Sequence, residues 1–246
     1  MIRTEFLAVG LMALVLVSAI EARAQSIEDA QALFDAGEFV AAADAGAAAG
    51  TSDSFALAAE SLAVYGYYVA AADEKQAVFE RAIDMAEQAI AADAVNPEAH
   101  LQASHAMGRY AQTIGVVKAL GDGYAGKVRE AIDAALALNP DFMEAHLSLA
   151  AWNAEIVASA GFMADFLYGA TEEGALKHYQ AAYALALDQK GVGSEYASGL
   201  LLLDKKKYGE QARTLLEHDI ALPTSTAYGE LLHQRAVEKL AALDGE

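Results

Sequence analysis

The chain contains no cysteine. That excludes disulfides, thiolate nucleophiles, cysteine-bound metals and a lipid-bearing cysteine near the N-terminus. Proline is nearly absent too, at Pro97, Pro140 and Pro223. Long stretches can therefore stay helical, and each proline stands beside a helix start or end. Basic residues are scarce: 16 Lys and Arg face 35 Asp and Glu, for a net charge of −19. Such a chain repels nucleic acid and anionic lipid and has little means to build a basic patch. Only one tryptophan, Trp152, occurs, and its place in a helical pattern marks it as core. Period-2 alternation is almost missing, which argues against sheets.

What is present begins with MIRTEFLAVGLMALVLVSAIEARAQS. Arg3 precedes an apolar run of 15 residues, Phe6 to Ile20, and Ala22-Arg23-Ala24 has the form of a cleavage site. This is the build of a secretory signal peptide over residues 1–24, with residues 25–246 as the exported domain. The run is short of the ~20 residues of a comfortable span. Retention as an N-terminal anchor is the alternative. No later segment reads as a span, so a soluble periplasmic protein is expected.

The remainder is rich in Ala, Leu, Glu and Gln at helical spacing. It also repeats itself. NPEAHL (96–101) returns as NPDFMEAHL (139–147). The helices AIDMAEQAIAAD (from Ala82), AIDAALAL (from Ala131), ALKHYQAAYALALD (from Ala175) and YGEQARTLLEHDIALP (from Tyr208) are versions of one another. A weaker first version is LFDAGEFVAAADAGAAAG, from Leu33. From Pro97 to Pro140 is 43 residues, from Pro140 to the matching Gln189 is 49, and from Gln189 to Pro223 is 34. The last is the tetratricopeptide period. The two longer units carry their extra residues at the same turn, in GVVKALGDGYAG (115–126) and around 158–170. The expected fold is all-α: a right-handed α-solenoid of four to five tetratricopeptide-like helix pairs, closed by a terminal helix over 225–243.

GRYAQTIG (108–115), NPDFMEAHLSLAAWNAEI (139–156) and YGATEEGALKHYQAA (168–182) resemble the tetratricopeptide-like T components associated with TRAP transporters. The related regulators of microtubule dynamics look similar as well. The likeness covers roughly residues 75 to 221. The T-component resemblance implies a lipoprotein that pairs with a periplasmic substrate-binding protein and carries a pore for an apolar ligand. Here Gln25 stands where the lipidated cysteine would be.

Chemistry-bearing motifs are few. GDGYAG (121–126) has the G-x-G-x-x-G form but lacks a β-α-β context, so it reads as a glycine turn before a helix over 127–138. His100 and His146 share the EAHL position. With His105 they raise a metal site, against packing histidines of stacked first helices, which lie ~8–10 Å apart. No H-E-x-x-H or G-x-S-x-G occurs, and no carboxylates stand at a spacing that pairs them along one helix. No catalytic residue, metal ligand or cofactor is assigned. DKKKYG (204–209) reads as a basic turn, solvated or touching a partner. Tyr65 and Tyr68 share a helical face, for packing on the next repeat.

The segment ASAGFMADFLYGATEEGAL (158–176) is the candidate binding element. At 100° per residue Phe162, Met163, Phe166 and Leu167 cover one arc of a short amphipathic helix, with Tyr168 at its end. Thr171 then caps the next helix, with Glu172 and Glu173 in its first turn. Three readings are open for the arc: packing inward against the other insert, lining a ligand or partner groove, or dipping into a membrane. The leading function is a non-catalytic periplasmic adaptor for a protein or peptide. The alternative is a ligand-holding accessory of a TRAP-type transporter with an apolar pocket. An unrecognised hydrolase or metal protein is a third reading.

Overall fold

The computed structural model describes residues 26–245. The segment read as a secretory signal peptide, residues 1–24, lies outside the described residues. The described residues are helical and pack in sequential pairs. The first pair is α1 (26–35) and α2 (Phe39–Ala49). The second is α3 (Ser52–Val64), extended by a π-turn over Tyr65–Val69, and α4 (Lys75–Ala92). The third is α5 (Pro97–Ile114), a short α6 (Val116–Gly121) and α7 (Tyr124–Leu138). The fourth is α8 (Met143–Ala160), a 3-10 turn over Gly161–Met163, α9 (Ala164–Tyr168) and α10 (Glu172–Leu185). Next comes α11 (Val192–Ala221), which bends at the non-helical Asp204 and thereby forms a fifth pair out of one run. The terminal helix is α12 (Ala227–Asp244).

Local chemistry explains the boundaries. Thr51 opens α3 with a capping box shared with Ser54. Asn96 caps α5 ahead of Pro97, whose missing N–H costs nothing at the first helical position. Thr171 and Thr226 accept from Gly174 N and Gly229 N, opening α10 and α12. The start of α11 is capped from a distance. Asp219, fully buried at the end of the same run, accepts from Gly191 N and from Ser194 Oγ, each at 2.7 Å.

Alanine lets the helices approach. Ala82, Ala86 and Ala89 of α4 sit at three- and four-residue spacing and are fully buried, as are Ala99 and Ala106 of α5. Larger side chains fill the later pairs, where Tyr179 stacks on Tyr196 at 4.9 Å. First helices touch first helices, α3 on α5 and α8 on α11.

Several expectations need correction. LFDAGEFVAAADAGAAAG is not one helix: it holds the end of α1, a turn at Ala36–Gly37 and α2. DKKKYG is a turn of a single residue: α11 bends at Asp204, and Asp204 Oδ1 accepts from Lys206 N and Lys207 N and so caps the second half of the run. GDGYAG is a glycine turn, but α7 begins at Tyr124, straight after Gly123 at φ 76°, a left-handed conformation that glycine adopts without strain. Met143–Tyr168 is long and apolar enough to cross a membrane by length and composition, at mean hydropathy 1.2. The sequence reading finds no such segment because it treats the insert as separate from α8. Here α8 packs against α7, α10 and α11, and its apolar side supplies core: Leu149, Ala150, Trp152, Ala154 and Ile156.

The end of the chain meets its beginning. Tyr228 and Leu231 of α12 join Phe34, Phe39, Leu57 and Val64 in one apolar cluster. The rings of Phe34 and Tyr68 meet Tyr228 edge-on at 5.8 and 5.9 Å. On its other side α12 buries Ala236 against Leu215 and Leu216 of α11. The terminal helix thus bridges the last pair and the first.

Candidate functional site: a central acidic cavity

The first helices α3, α5 and α8 and the start of α11 line a cavity of about 820 Å³, with α12 contributing Tyr228 and Leu232. Part of its wall is apolar: Leu57, Leu101, Ile132, Met143, Leu147 and Trp152. The insert after α5 contributes Val116, Ala119 and Leu120.

One end is acidic. Asp53, Glu98 and Glu144 occupy the second position of α3, α5 and α8, and all three line the cavity with Glu60. Each of the three receives an amide. Asn96 Nδ2 donates to Asp53 Oδ1 at 2.8 Å, Gln102 Nε2 to Glu98 Oε1 at 2.7 Å, and Gln189 Nε2 to Glu144 Oε1 at 3.3 Å. Burial, then Glu98, Glu144 and Asp35, pushes the Glu60 carboxyl up to about 7. Glu98 is raised as well, by burial first. Gln102 is only 3% exposed, and its Oε1 has no hydrogen-bond partner.

The other end carries Arg109, Tyr67, Tyr68 and Glu155. The Arg109 guanidinium lies 3.6 Å from the Tyr67 ring centroid, a cation–π contact. Burial raises the Glu155 carboxyl, with Arg109 opposing and Glu195 adding to the rise.

Between the ends, His105 Nε2 stands 2.7 Å from Ser148 Oγ. Ser148 Oγ also lies 2.9 Å from Glu144 O, and with its proton given to that carbonyl it accepts from His105. Burial, then Arg109, depresses the imidazole to about 4, which leaves it a poor base near neutrality. The two histidines of the EAHL motif hold turns. His100 Nε2 reaches Ala94 O and His146 Nε2 reaches Pro140 O, both at 2.9 Å, which explains the recurring EAHL. His146 also stacks on His178. Among the described residues no three His, Cys, Asp or Glu side chains are grouped to hold a metal ion.

The predicted binding element sits elsewhere. Phe162 is 93% exposed, Phe166 83% and Leu167 54%, while Met163 and Tyr168 are half-buried. None of the five lines the cavity. The single amphipathic helix does not form, because the 3-10 turn at Gly161–Met163 breaks the wheel before α9 starts. Buried Ala164 and Ala170, with Tyr168 beside them, fix the insert to the cluster around Trp152. Leu120 of the first insert packs on that same cluster. The acidic end escaped the sequence reading. Its signal was available, since Asp53, Glu98 and Glu144 recur at intervals of 45 and 46 residues, close to the repeat itself.

Residues 53–244 match the family profile described as regulator of microtubule dynamics protein 1-3. The chain belongs to this family. The match opens in the first turn of α3 and closes at the last residue of α12, so it takes in the cavity-lining helices from α3 onward and the helix that bridges the ends, while Ile27 and Gln31 of α1, which also line the cavity, precede it. No curated protein sequence matches the chain. Of the two likenesses read from the sequence, this match concerns the regulators.

Proposed function

We propose that the protein is a non-catalytic helical-repeat binding protein, a right-handed tetratricopeptide-like solenoid whose inner face holds a segment of a protein partner. The observation that carries this reading is the cavity of about 820 Å³ built from successive first helices, the face on which such repeats bind. The depressed imidazole of His105, a poor base near neutrality, agrees with a binding role. The matched family is described by regulation of microtubule dynamics, a protein-directed role, and only the partner class is carried over. Export to the periplasm rests on the cleavage-site pattern of residues 1–24, and a periplasmic substrate-binding protein is the partner that placement favours. We also keep Phe162, Met163, Phe166, Leu167 and Tyr168 as an outer contact surface, on the strength of the exposure of the two phenylalanines.

A photo-crosslinking residue at Leu147, on the cavity wall, tests the main reading against one at exposed Glu130. In the producing cells, position 147 should capture a polypeptide that position 130 does not. Equal capture at both, or none at 147, overturns it. The second reading, a ligand-holding transporter accessory, draws on the cavity volume, which falls within the ~300–1,000 Å³ of small-molecule sites. Native mass spectrometry of the purified protein would then show a stoichiometric small molecule, removed by Leu147→Trp.

A further inference from the structure

We propose that the acidic end of the cavity recognises an organic cation, an ammonium or guanidinium group on an apolar stem, with Gln102 Oε1, Glu60 and Glu98 as its acceptors. This rests on the cavity being the binding site and names what it selects. The deciding atom is Gln102 Oε1, a buried acceptor with no partner. Leaving an acceptor so costs about 1–3 kcal/mol. Turning the amide over does not relieve it, because Oε1 would then face Glu98 Oε1, an acceptor meeting an acceptor. The group that satisfies it must be a donor.

The surroundings add charge to that requirement. Asp53, Glu60, Glu98 and Glu144 line the same cavity, so the donor is cationic. The lysine and the arginine of the cavity lining are committed elsewhere. Lys190, in the lining, gives Nζ to Asp219 O at 2.6 Å and Leu222 O at 3.0 Å. Arg109 rests on Tyr67 at the opposite end. A bare metal ion fits less well, because no three carboxylates or histidines converge among the described residues. Leu57, Leu101, Ile132, Met143 and Leu147 supply the wall for an apolar stem. The net charge of −19 draws cations toward the protein.

Such a cation can be a free amine or a lysine side chain of a bound segment. Calorimetric titration of the purified chain with n-octylamine, n-octanol and n-octanoate tests the charge requirement. Acetyl-Leu-Lys-Leu-amide and its Nε-acetyl-lysine counterpart test the peptide source. The amine or the lysine peptide should bind at least roughly tenfold more tightly than its uncharged counterpart, as expected for a charge-assisted pair in a partly dry site. Glu60→Gln, Glu98→Gln and Gln102→Leu should each weaken that binding by about tenfold while leaving octanol unaffected. The two carboxylate changes are isosteric, and an unchanged unfolding midpoint for either keeps the test valid should Gln102→Leu not fold. Binding of the lysine peptide alone assigns the cation to a polypeptide, and binding of octylamine alone assigns it to a small molecule. Equal binding of octanol, or neither cation binding, or cation binding indifferent to all three substitutions, overturns the inference. If cations fail while Leu147 still crosslinks its partner, the cavity remains a binding site and only the cation assignment falls.

Discussion

Arg235 donates a hydrogen bond to the hydroxyl of Tyr67, across 168 residues of chain, and its guanidinium lies 4.6 Å from that ring's centroid. The same ring holds Arg109. The contact ties α12 to the π-turn that ends α3, where the last helix returns to the first pairs. Arg235→Ala should lower stability by about 1–3 kcal/mol in urea unfolding, the sum of a cation–π contact and a hydrogen bond to a charged donor. Arg235→Lys should recover only part of that, since an ammonium lacks the planar fork. A full recovery would show that charge alone holds the closure.

Phe162 and Phe166 project from the 158–170 insert almost completely exposed. Phe162→Ala and Phe166→Ala should therefore shift stability by no more than about 0.5 kcal/mol, as surface changes do. Trp152→Ala, at the centre of the cluster beneath them, should cost about 3–5 kcal/mol. Its indole N–H also donates to Ala125 O at 2.9 Å, so the truncation orphans a carbonyl. Urea denaturation of the three variants separates the outer contact surface from the core. A loss of several kcal/mol at Phe166 would place it inside.

Local signals were legible in the sequence. Thr171 caps α10 as expected because a cap is decided within three residues. The terminal helix starts within two residues of its expected position for the same reason. Direction was not legible. A helical wheel orders Phe162 and Phe166 relative to each other, but it cannot say which side the protein occupies, and it fails where a 3-10 turn intervenes. Nor can a wheel place Asp53, Glu98 and Glu144 on one cavity, which they line only when three repeats are stacked. The cap of Gly191 by Asp219 is invisible for a similar reason: its 28-residue separation is closed by the bend at Asp204.

Two glycines of α11 make opposite predictions. A Cβ at Gly199 would overlap the hydroxyl and ring of Tyr179, itself buried and stacked on Tyr196. A Cβ at Gly209 meets nothing within 4 Å. Gly199→Ala should cost about 1–3 kcal/mol or more, as overpacking does. Gly209→Ala should stabilise by about 0.5–1 kcal/mol, because alanine gives up less backbone entropy in a helix. Thermal unfolding of the two variants reads this directly. Equal effects would contradict the close approach of α10 and α11.

The cavity carboxyls set a pH dependence that runs against the usual acid-labile pattern. Glu60 is held at about 7 in the folded chain, against 4.5 in its ordinary state. Between those values the native protein keeps a proton that the unfolded chain has released, so this contribution is complete below about 4.5 and disappears as pH rises through about 7. Glu98, Glu144 and Asp35 face Glu60 and reinforce the rise. His105 acts in the opposite sense. Held at about 4 against 6.5, with Arg109 lowering it and Glu195 opposing, it contributes above 6.5 and loses that contribution as pH falls toward 4. Glu60→Gln should match the wild type near pH 4 and exceed it near pH 8 by up to about 3 kcal/mol, the worth of such a shift. Urea unfolding at a series of pH values checks it, and a difference that stays flat from pH 5 to 8 would remove Glu60 from the buried acidic end. Added n-octylamine should shrink the wild type's alkaline loss, since a bound ammonium stabilises the ionised carboxylate and pulls its titration down toward the ordinary range.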